Sequence, residues 1–281
     1  MPEDTPFASW IGRTRSDADE VSAAAHARFR ATLDGYLAPV EDGHAAPGFH
    51  WCLAPECAPP SALGPDGHPE KGTFLPPVEL PRRMWAGGAL ELLRPLQLGE
   101  AVERRTRIGA ISRKTGRSGS LVFVALHREV MTPGGLAIKE RQDIVYRGTQ
   151  EARQPEDGQT RVRPVEESEM ISTFEPDTVL LFRYSALTFN AHRIHFDLEY
   201  ATGVEGHAGL VVHGPLQATV LLNAATRAGA RPPSRFAYRG LAPFTAGTRG
   251  SVRARPDGAA QLAVWIEDAT GRRTMEARAS W

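Results

Sequence analysis

The sequence predicts an α+β protein built from two curved antiparallel sheets, each packed against an apolar helix. Three observations predict it. Segments of alternating or β-branched residues, separated by Gly, Pro and Thr, fill residues 84–147 and 235–281. Two Ala- and Leu-rich segments, at 16–34 and 215–229, have helical spacing instead. A short echo links the halves: GGALELLRPLQLGE and YRGLAPFTAGT share Pro-x-x-x-Gly, at Pro95/Gly99 and Pro243/Gly247, each followed by a two-strand pattern.

In chain order, the first element expected is a helix over 16–34. Ser16 or Asp17 caps it, acids fill its first turn, and Gly35 ends it. Val21, Ala25, Phe29 and Leu33 would face a core. Residues 36–81 carry so many prolines and glycines that neither a long helix nor a central strand fits, so a long ordered loop is expected. A strand meander follows from Met84. Residues 148–166, rich in charge, Gln and Pro, read as a linker. The second half opens with TVLLFRYSALT, which reads as a strand. The apolar helix then starts at Pro215 and ends at Gly229, and four strands complete the chain. The layering is α+β, with domains expected at 1–150 and 151–281.

The 281 residues carry 33 basic and 33 acidic side chains, a formal net charge of zero. No electrostatic excess is available for phosphate backbones, so no nucleic-acid partner is expected. The amino terminus, MPEDTPF, lacks the basic and apolar regions of a leader, and no apolar run is long enough to span a bilayer. A cytoplasmic protein without a membrane partner is expected. Cys52 and Cys57 read as free, buried or half-buried thiols in a reducing compartment.

Chemistry concentrates in Phe-Asn-Ala-His-Arg-Ile-His-Phe-Asp, residues 189–197. A metal reading has His192 and His195 three apart but lacks a third and fourth ligand nearby, and no metal is expected. A structural reading lets Asn and His satisfy loop backbone, with Asp197 capping a short helix through Glu199 and Tyr200. The third reading is acid/base chemistry by imidazole. It draws support from Val211-Val212-His213-Gly214-Pro215, where a glycine opens a helix and its N–H faces any negative charge developing there.

YSALTFNAHRIHFDLEYA followed by GLVVHGPLQA resembles the hydratase signature of the MaoC-like double hot-dog acyl-CoA hydratases and dehydratases. DGHPEKGTFLPPVELPRRMWAGGALELLRPLQLGE resembles the amino-terminal hot dog of the branch containing mesaconyl-C4-CoA hydratase and mitochondrial hydroxyacyl-thioester dehydratase type 2. The resemblance implies a double hot-dog fold and a hydro-lyase acting at the 2,3 double bond of an enoyl-CoA, with a C4–C5 unsaturated dicarboxylic acyl group favoured. A fatty-acid-type 3-hydroxyacyl-thioester dehydratase and, further off, a hot-dog thioesterase are the alternatives. Coenzyme A enters only as part of the substrate, no separate cofactor is implied, and a homodimer is a possible partner arrangement.

The motif departs from the wider signature in one respect. Asn190 occupies the usual aspartate position and His192 the usual asparagine position. An amide takes up no proton near neutrality, so the aspartate's role does not transfer. The resemblance implies His195 as acid/base, Gly214 as oxyanion donor and Asn190 as a water-orienting group. His192 is either a second acid/base or structural. Arg82, Arg83 and Arg193 are candidates for a substrate carboxylate, and His213 for substrate contact. The amino-terminal half has no counterpart of the histidine motif and is expected to shape the pocket.

Overall fold

The computed structural model describes residues 7–116, 119–148 and 169–281, so the expected linker falls largely outside the described residues. The amino-terminal half contributes β1 (Thr14–Glu20), α1 (Ala23–Thr32), β2 (Arg82–Leu92), β3 (Ala101–Gly116), β4 (Gly119–Thr132) and β5 (Gly135–Arg147). The second half contributes β6 (Glu169–Phe174), α2 (Thr178–Thr188), α3 (Gly214–Ala228), β7 (Arg235–Gly240), β8 (Gly250–Pro256), β9 (Gln261–Glu267) and β10 (Arg273–Ser280). The ten strands among the described residues share one antiparallel sheet in the order β1-β3-β4-β5-β2-β7-β10-β9-β8-β6. No helix among the described residues is long and apolar enough to cross a membrane.

The halves join where β2 pairs with β7, from Gly87↔Arg239 to Glu91↔Arg235. Glycine is required there. A Cβ on Gly88 would lie 2.5 Å from the Tyr238 hydroxyl and 2.2 Å from the Arg141 carbonyl oxygen. Register shifts at Trp85/Gly87 in β2 and Ile108/Ala110 in β3 bend the amino-terminal part of the sheet.

Two sequence expectations are corrected. Residues 14–20 form an edge strand rather than the start of a helix, and the helix begins only at Ala23, where Ser22 accepts the Ala25 N–H. The acids of 17–20 run beside the basic stretch of β3, with Asp17 opposite Arg104 and Ser16 opposite Arg105. Cross-strand charge pairing and strand alternation outweigh the helical composition. TVLLFRYSALT is the second correction: it forms α2, capped by the Asp177 carboxylate accepting from Leu180 N–H at 2.7 Å. A short apolar run has no decisive period, and the cap settles it.

α3 is the centre of the core. Every residue from Leu216 to Thr226 is buried, with β7, β9, β10 and β2 around it. Its buried polar groups are partnered: the Gln217 Oε1 accepts from Thr274 Oγ1 at 2.8 Å, and Asn223 binds Pro47 O and Ala38 N of the long loop. Among the described residues, the first half has no equivalent helix under its sheet. α1 packs against α2, and the strands of that half are covered by the long loop. Phe74, Leu75, Val78 and Leu80 cover Ile108, Val122, Val124 and Tyr146, while Trp51 inserts beside Glu140. The echoed turn recurs in both halves, with Gly99 and Gly247 at φ 85° and 79°. Cys52 is buried and Cys57 exposed, both free, so the second thiol departs from the expected burial.

Candidate active site

Three loops converge at the amino-terminal end of α3. The first leaves α2. Phe189 takes a left-handed conformation at φ 50° and ends the helix. Asn190 then closes a local turn, its Oδ1 accepting from the His192 N–H at 3.0 Å. A 3₁₀ turn spans Arg193–His195. Asp197 caps the next turn by accepting the Tyr200 N–H at 3.0 Å, as the capping expectation had it, and also takes two bonds from Arg193 at 2.9 and 2.6 Å. A π turn over Tyr200–Val204 delivers Glu205.

His195 and His213 stack face to face, with ring centres 3.6 Å apart and planes 20° apart. His195 Nδ1–H donates to the Val211 carbonyl at 2.7 Å, which leaves Nε2 an unprotonated acceptor. Burial pushes the His195 pKa down to about 3, so the ring is a neutral base at pH 7. His213 is fully buried and also held neutral by burial. It backs His195 and bonds the Ser185 hydroxyl at 2.8 Å through Nε2.

α3 begins directly after His213, with Pro215 in its first turn. The first α3 amide bonded back along the chain is Gln217, to His213 O. The N–H groups of Gly214 and Leu216 precede that bond, and the helix dipole concentrates positive charge at them. The Gly214 Cα lies against Trp85: a Cβ there would sit 2.4 Å from Trp85 Cε3. Trp85 stacks on Tyr238 at 4.7 Å and meets Trp51 edge-on at 5.8 Å, so an aromatic wall from both halves stands beside the helix end.

The third loop comes from the amino-terminal half. Arg193 N–H donates to Asp66 O at 2.9 Å, and Arg193 Nη1 to Pro65 O at 3.2 Å. Between these anchors, Gly67 has φ 85°, and a Cβ on it would meet the Ala191 carbonyl oxygen at 1.9 Å. The tight dock brings the His68 ring to 4.1 Å from the His192 ring. His68 Nδ1–H donates to Asp66 Oδ2 at 2.9 Å, while His192 Nε2–H donates to Glu205 Oε1 at 3.2 Å. His207 holds the other Glu205 oxygen at 3.4 Å.

Burial opposes the charge on both carboxylates, and their partners outweigh it. The hydrogen bonds from His192 and His207 bring Glu205 down to about 2, and His68 with Arg83 holds Asp66 below the usual range. Burial and the Arg83 guanidinium push His68 to about 3. Asp66, His68 and His192 are close together. They are arranged as carboxylate–imidazole pairs, with the two rings tilted by only 36°. Two imidazoles converging on one ion with bonds of about 2.1 Å hold their ring centres roughly 5 Å apart, wider than this stack.

The structure therefore brings together His192, His195, His213, Gly214 and Asn190. Arg83 joins them through its charge on Asp66 and His68. Arg193 is already spent on Asp197, the Pro65 carbonyl and the Tyr200 ring, 4.2 Å away, so its guanidinium braces the loop. Arg82 reaches the Val204 carbonyl at 3.5 Å. His213, fully enclosed, supports His195 rather than facing open space. Asp66, His68 and Glu205 were not singled out from sequence. The only signal was a charged Asp-Gly-His turn in a proline-rich loop, and nothing local ties it to the histidine motif 120 or more residues away.

A family model described as hydroxyacyl-thioester dehydratase type 2 matches residues 48–246. Mesaconyl-C(4)-CoA hydratase of Chloroflexus aurantiacus is 42% identical over 92% of this chain and 96% of its own length. The mitochondrial hydroxyacyl-thioester dehydratase type 2 of Schizosaccharomyces pombe is 30% identical over 73% of this chain and 76% of its own. In architecture the chain is similar to a Mycobacterium tuberculosis protein described as having a double hotdog fold, with TM-score 0.65, 13% identity, and coverage of 96% and 95%.

Proposed function

The chain belongs to the hydroxyacyl-thioester dehydratase type 2 family, and from that membership we propose that it hydrates an unsaturated C4–C5 dicarboxylic acyl-CoA of the mesaconyl-C4-CoA kind. The broad activity is that of a hydro-lyase on acyl thioesters. The dicarboxylic substrate is our extension. It is supported by the 42% identity to a mesaconyl-C(4)-CoA hydratase and by Arg83, whose charge bears directly on the histidine cluster.

One observation carries the chemistry: a neutral imidazole with a free Nε2, His195, next to a helix start that presents the Gly214 N–H. The thioester oxygen binds at that helix end, where enolate charge accumulates. Water donates one O–H to His195 Nε2. As that bond breaks, the oxygen attacks the β-carbon and the π pair moves toward the thioester oxygen. The Asn190 side chain, its Oδ1 held in the local turn, has its amide N–H groups available to orient the water. Arg83 pairs with the free carboxylate of the acyl group. The cytoplasm is the compartment proposed for this activity.

The test follows loss of the enoyl-thioester absorbance across a panel of enoyl-CoAs, with His195→Ala alongside. Hydration of the dicarboxylic substrate, and a loss of about 10²–10⁴ in rate for the variant, is expected. Preference for crotonyl-CoA would move the assignment to the fatty-acid-type dehydratase, and near-normal turnover by His195→Ala would remove His195 from the mechanism.

A further inference from the structure

We propose that His68, held by Asp66, is a second catalytic group of this site: the general acid that supplies the α-carbon proton. The proposal rests on the hydro-lyase reading above. Addition of water needs one proton removed from water and one delivered to carbon. His195 can perform the first task. At Asn190 the chain offers an amide, which performs neither.

The loop from the other half fills the gap. Its position is fixed by two bonds from Arg193 and by the contact of Gly67 with Ala191. His68 is bonded to its loop twice through Asp66: its backbone N–H reaches Oδ1 at 3.0 Å and its Nδ1–H reaches Oδ2 at 2.9 Å. That leaves Nε2 as the one ring nitrogen able to exchange a proton with a ligand. A carboxylate behind an imidazole fixes the tautomer and stabilises the imidazolium, whereas the carbonyl behind His195 offers a dipole only. His68 is therefore better suited to hold a proton, and His195 to take one up transiently.

The groups facing His68 set its proton affinity. They are Asp66 on its own loop, Arg83 on β2, and His192 from the motif loop. Lys71 and Glu205 lie one contact further, on Asp66 and His192. In the empty site, burial and Arg83 keep His68 neutral. A substrate carboxylate paired with Arg83 cancels that cation, the second depressing cause after burial, and sets the Asp66 hydrogen bond and the added anion against burial.

The cycle balances. One proton enters from solvent to His68 Nε2 as the anionic acyl group binds. Water's O–H bond breaks to His195 Nε2, the C–O bond forms at the β-carbon, and the π pair shifts to the thioester oxygen. The enolate pair then forms a C–H bond at the α-carbon as the His68 Nε2–H bond breaks. His195 returns its proton to solvent as product leaves.

The experiment uses the full chain with two probes. Succinyl-CoA is a saturated dicarboxylic thioester that cannot be hydrated. Its binding in weak buffer with a pH indicator should take up about one proton per site for wild type. His68→Gln, which keeps a donor toward Asp66, and Asp66→Asn should take up none. On the enoyl-CoA that the wild type hydrates, both variants should lose about 10²–10⁴ in kcat with KM changed only severalfold and an unchanged melting temperature. A role confined to bracing the loop would shift KM and melting while leaving proton uptake intact, and that result overturns the proposal. So does a His68→Gln chain with wild-type kcat. Absence of hydration by the wild type would instead strike the functional reading, and the succinyl-CoA measurement judges His68 separately.

Discussion

Gly214→Ala tests the oxyanion end of the site most directly. The added Cβ would lie 2.4 Å from Trp85 Cε3 and 3.2 Å from Cζ3. Comfortable carbon–carbon contact starts at about 3.5 Å, so roughly 1 Å of room must be found. Trp85 cannot readily supply it. The ring is stacked on Tyr238 and braced by Trp51, whose indole N–H is bonded to Glu140 at 3.0 Å. The start of α3 has to retreat instead. Overpacking of this kind costs about 1–3 kcal/mol, and for a large domain each kcal/mol lowers the melting temperature by roughly 2–4 °C. A retreat of about 1 Å also takes the Gly214 N–H away from the thioester oxygen, and loss of one such donor lowers kcat by about 10²–10³. The measurements are kcat and KM from the enoyl-thioester absorbance, together with thermal melting. Trp85→Phe removes the clashing benzo ring and should recover part of both losses in the double variant. A Gly214→Ala chain with wild-type kcat and melting would refute the assignment of this helix end, as would a double variant that recovers neither.

Three further expectations follow from other parts of the site. Arg83→Gln should raise KM for a dicarboxylic acyl-CoA by tenfold or more while leaving crotonyl-CoA nearly unaffected, on the scale of about 1.5–3 kcal/mol for a charged hydrogen bond; equal effects on both substrates would exclude Arg83 as the carboxylate partner. Gly67→Ala combines a left-handed φ of 85° with a backbone clash at Ala191, so a loss of about 1–3 kcal/mol and undocking of the loop are expected, read as faster amide exchange at His68 and Arg193. Acid should destabilise the fold well above the carboxylate range. His50 is held near 4 by burial, and His68 and His195 near 3, all below the ordinary histidine value of 6.5. A depressed folded pKa means that the unfolded chain binds the extra protons. The stability these groups confer is therefore complete above pH 6.5 and is lost as pH falls toward 3, at about 2 kcal/mol per group by pH 5. Glu205 adds a further loss between the ordinary glutamate value of 4.5 and about 2. A melting temperature that stays flat from pH 7 to pH 4.5 would contradict this reading.

The elements legible in the sequence are those with a clear period or a clear boundary. The central helix has eleven consecutive buried residues framed by Pro215 and Gly229, and the two meanders have their turns marked by Gly and Pro. The errors have a common physical source. Residues 14–20 and 178–188 are short segments whose composition suits one structure while a distant or adjacent partner selects another. β3 draws the first into a strand, and the Asp177 carboxylate starts the second as a helix. The site divides in the same way. His195 and Gly214 stand out in the sequence because each sits in a local motif with its own chemistry, and the structure places both at the start of α3. Asp66 and His68 acquire their importance only through docking, and docking at Gly67 leaves no periodic trace in a proline-rich loop; Glu205 is returned to His192 by the π turn of its own half.

The departure at Asn190 is consistent with that docking. The site already encloses two carboxylates, Asp66 and Glu205, each held ionised by an imidazole at 2.9 or 3.2 Å. A third beside them would be repelled by both, and one of the three would have to take a proton to remain buried. An amide at 190 provides the same acceptor for the His192 N–H turn without the charge. His192 then occupies the position where the wider signature has asparagine, and it bridges the two acidic groups by bonding Glu205 and stacking on His68. The two changes at 190 and 192 are thus one change. Negative charge lies on the π turn and on the loop of the other half rather than in the motif itself, each carboxylate bonded to an imidazole. If His68 acts as proposed, the amino-terminal half, which has no histidine motif of its own, takes a chemical part in a site that its sequence alone would assign to the carboxy-terminal half.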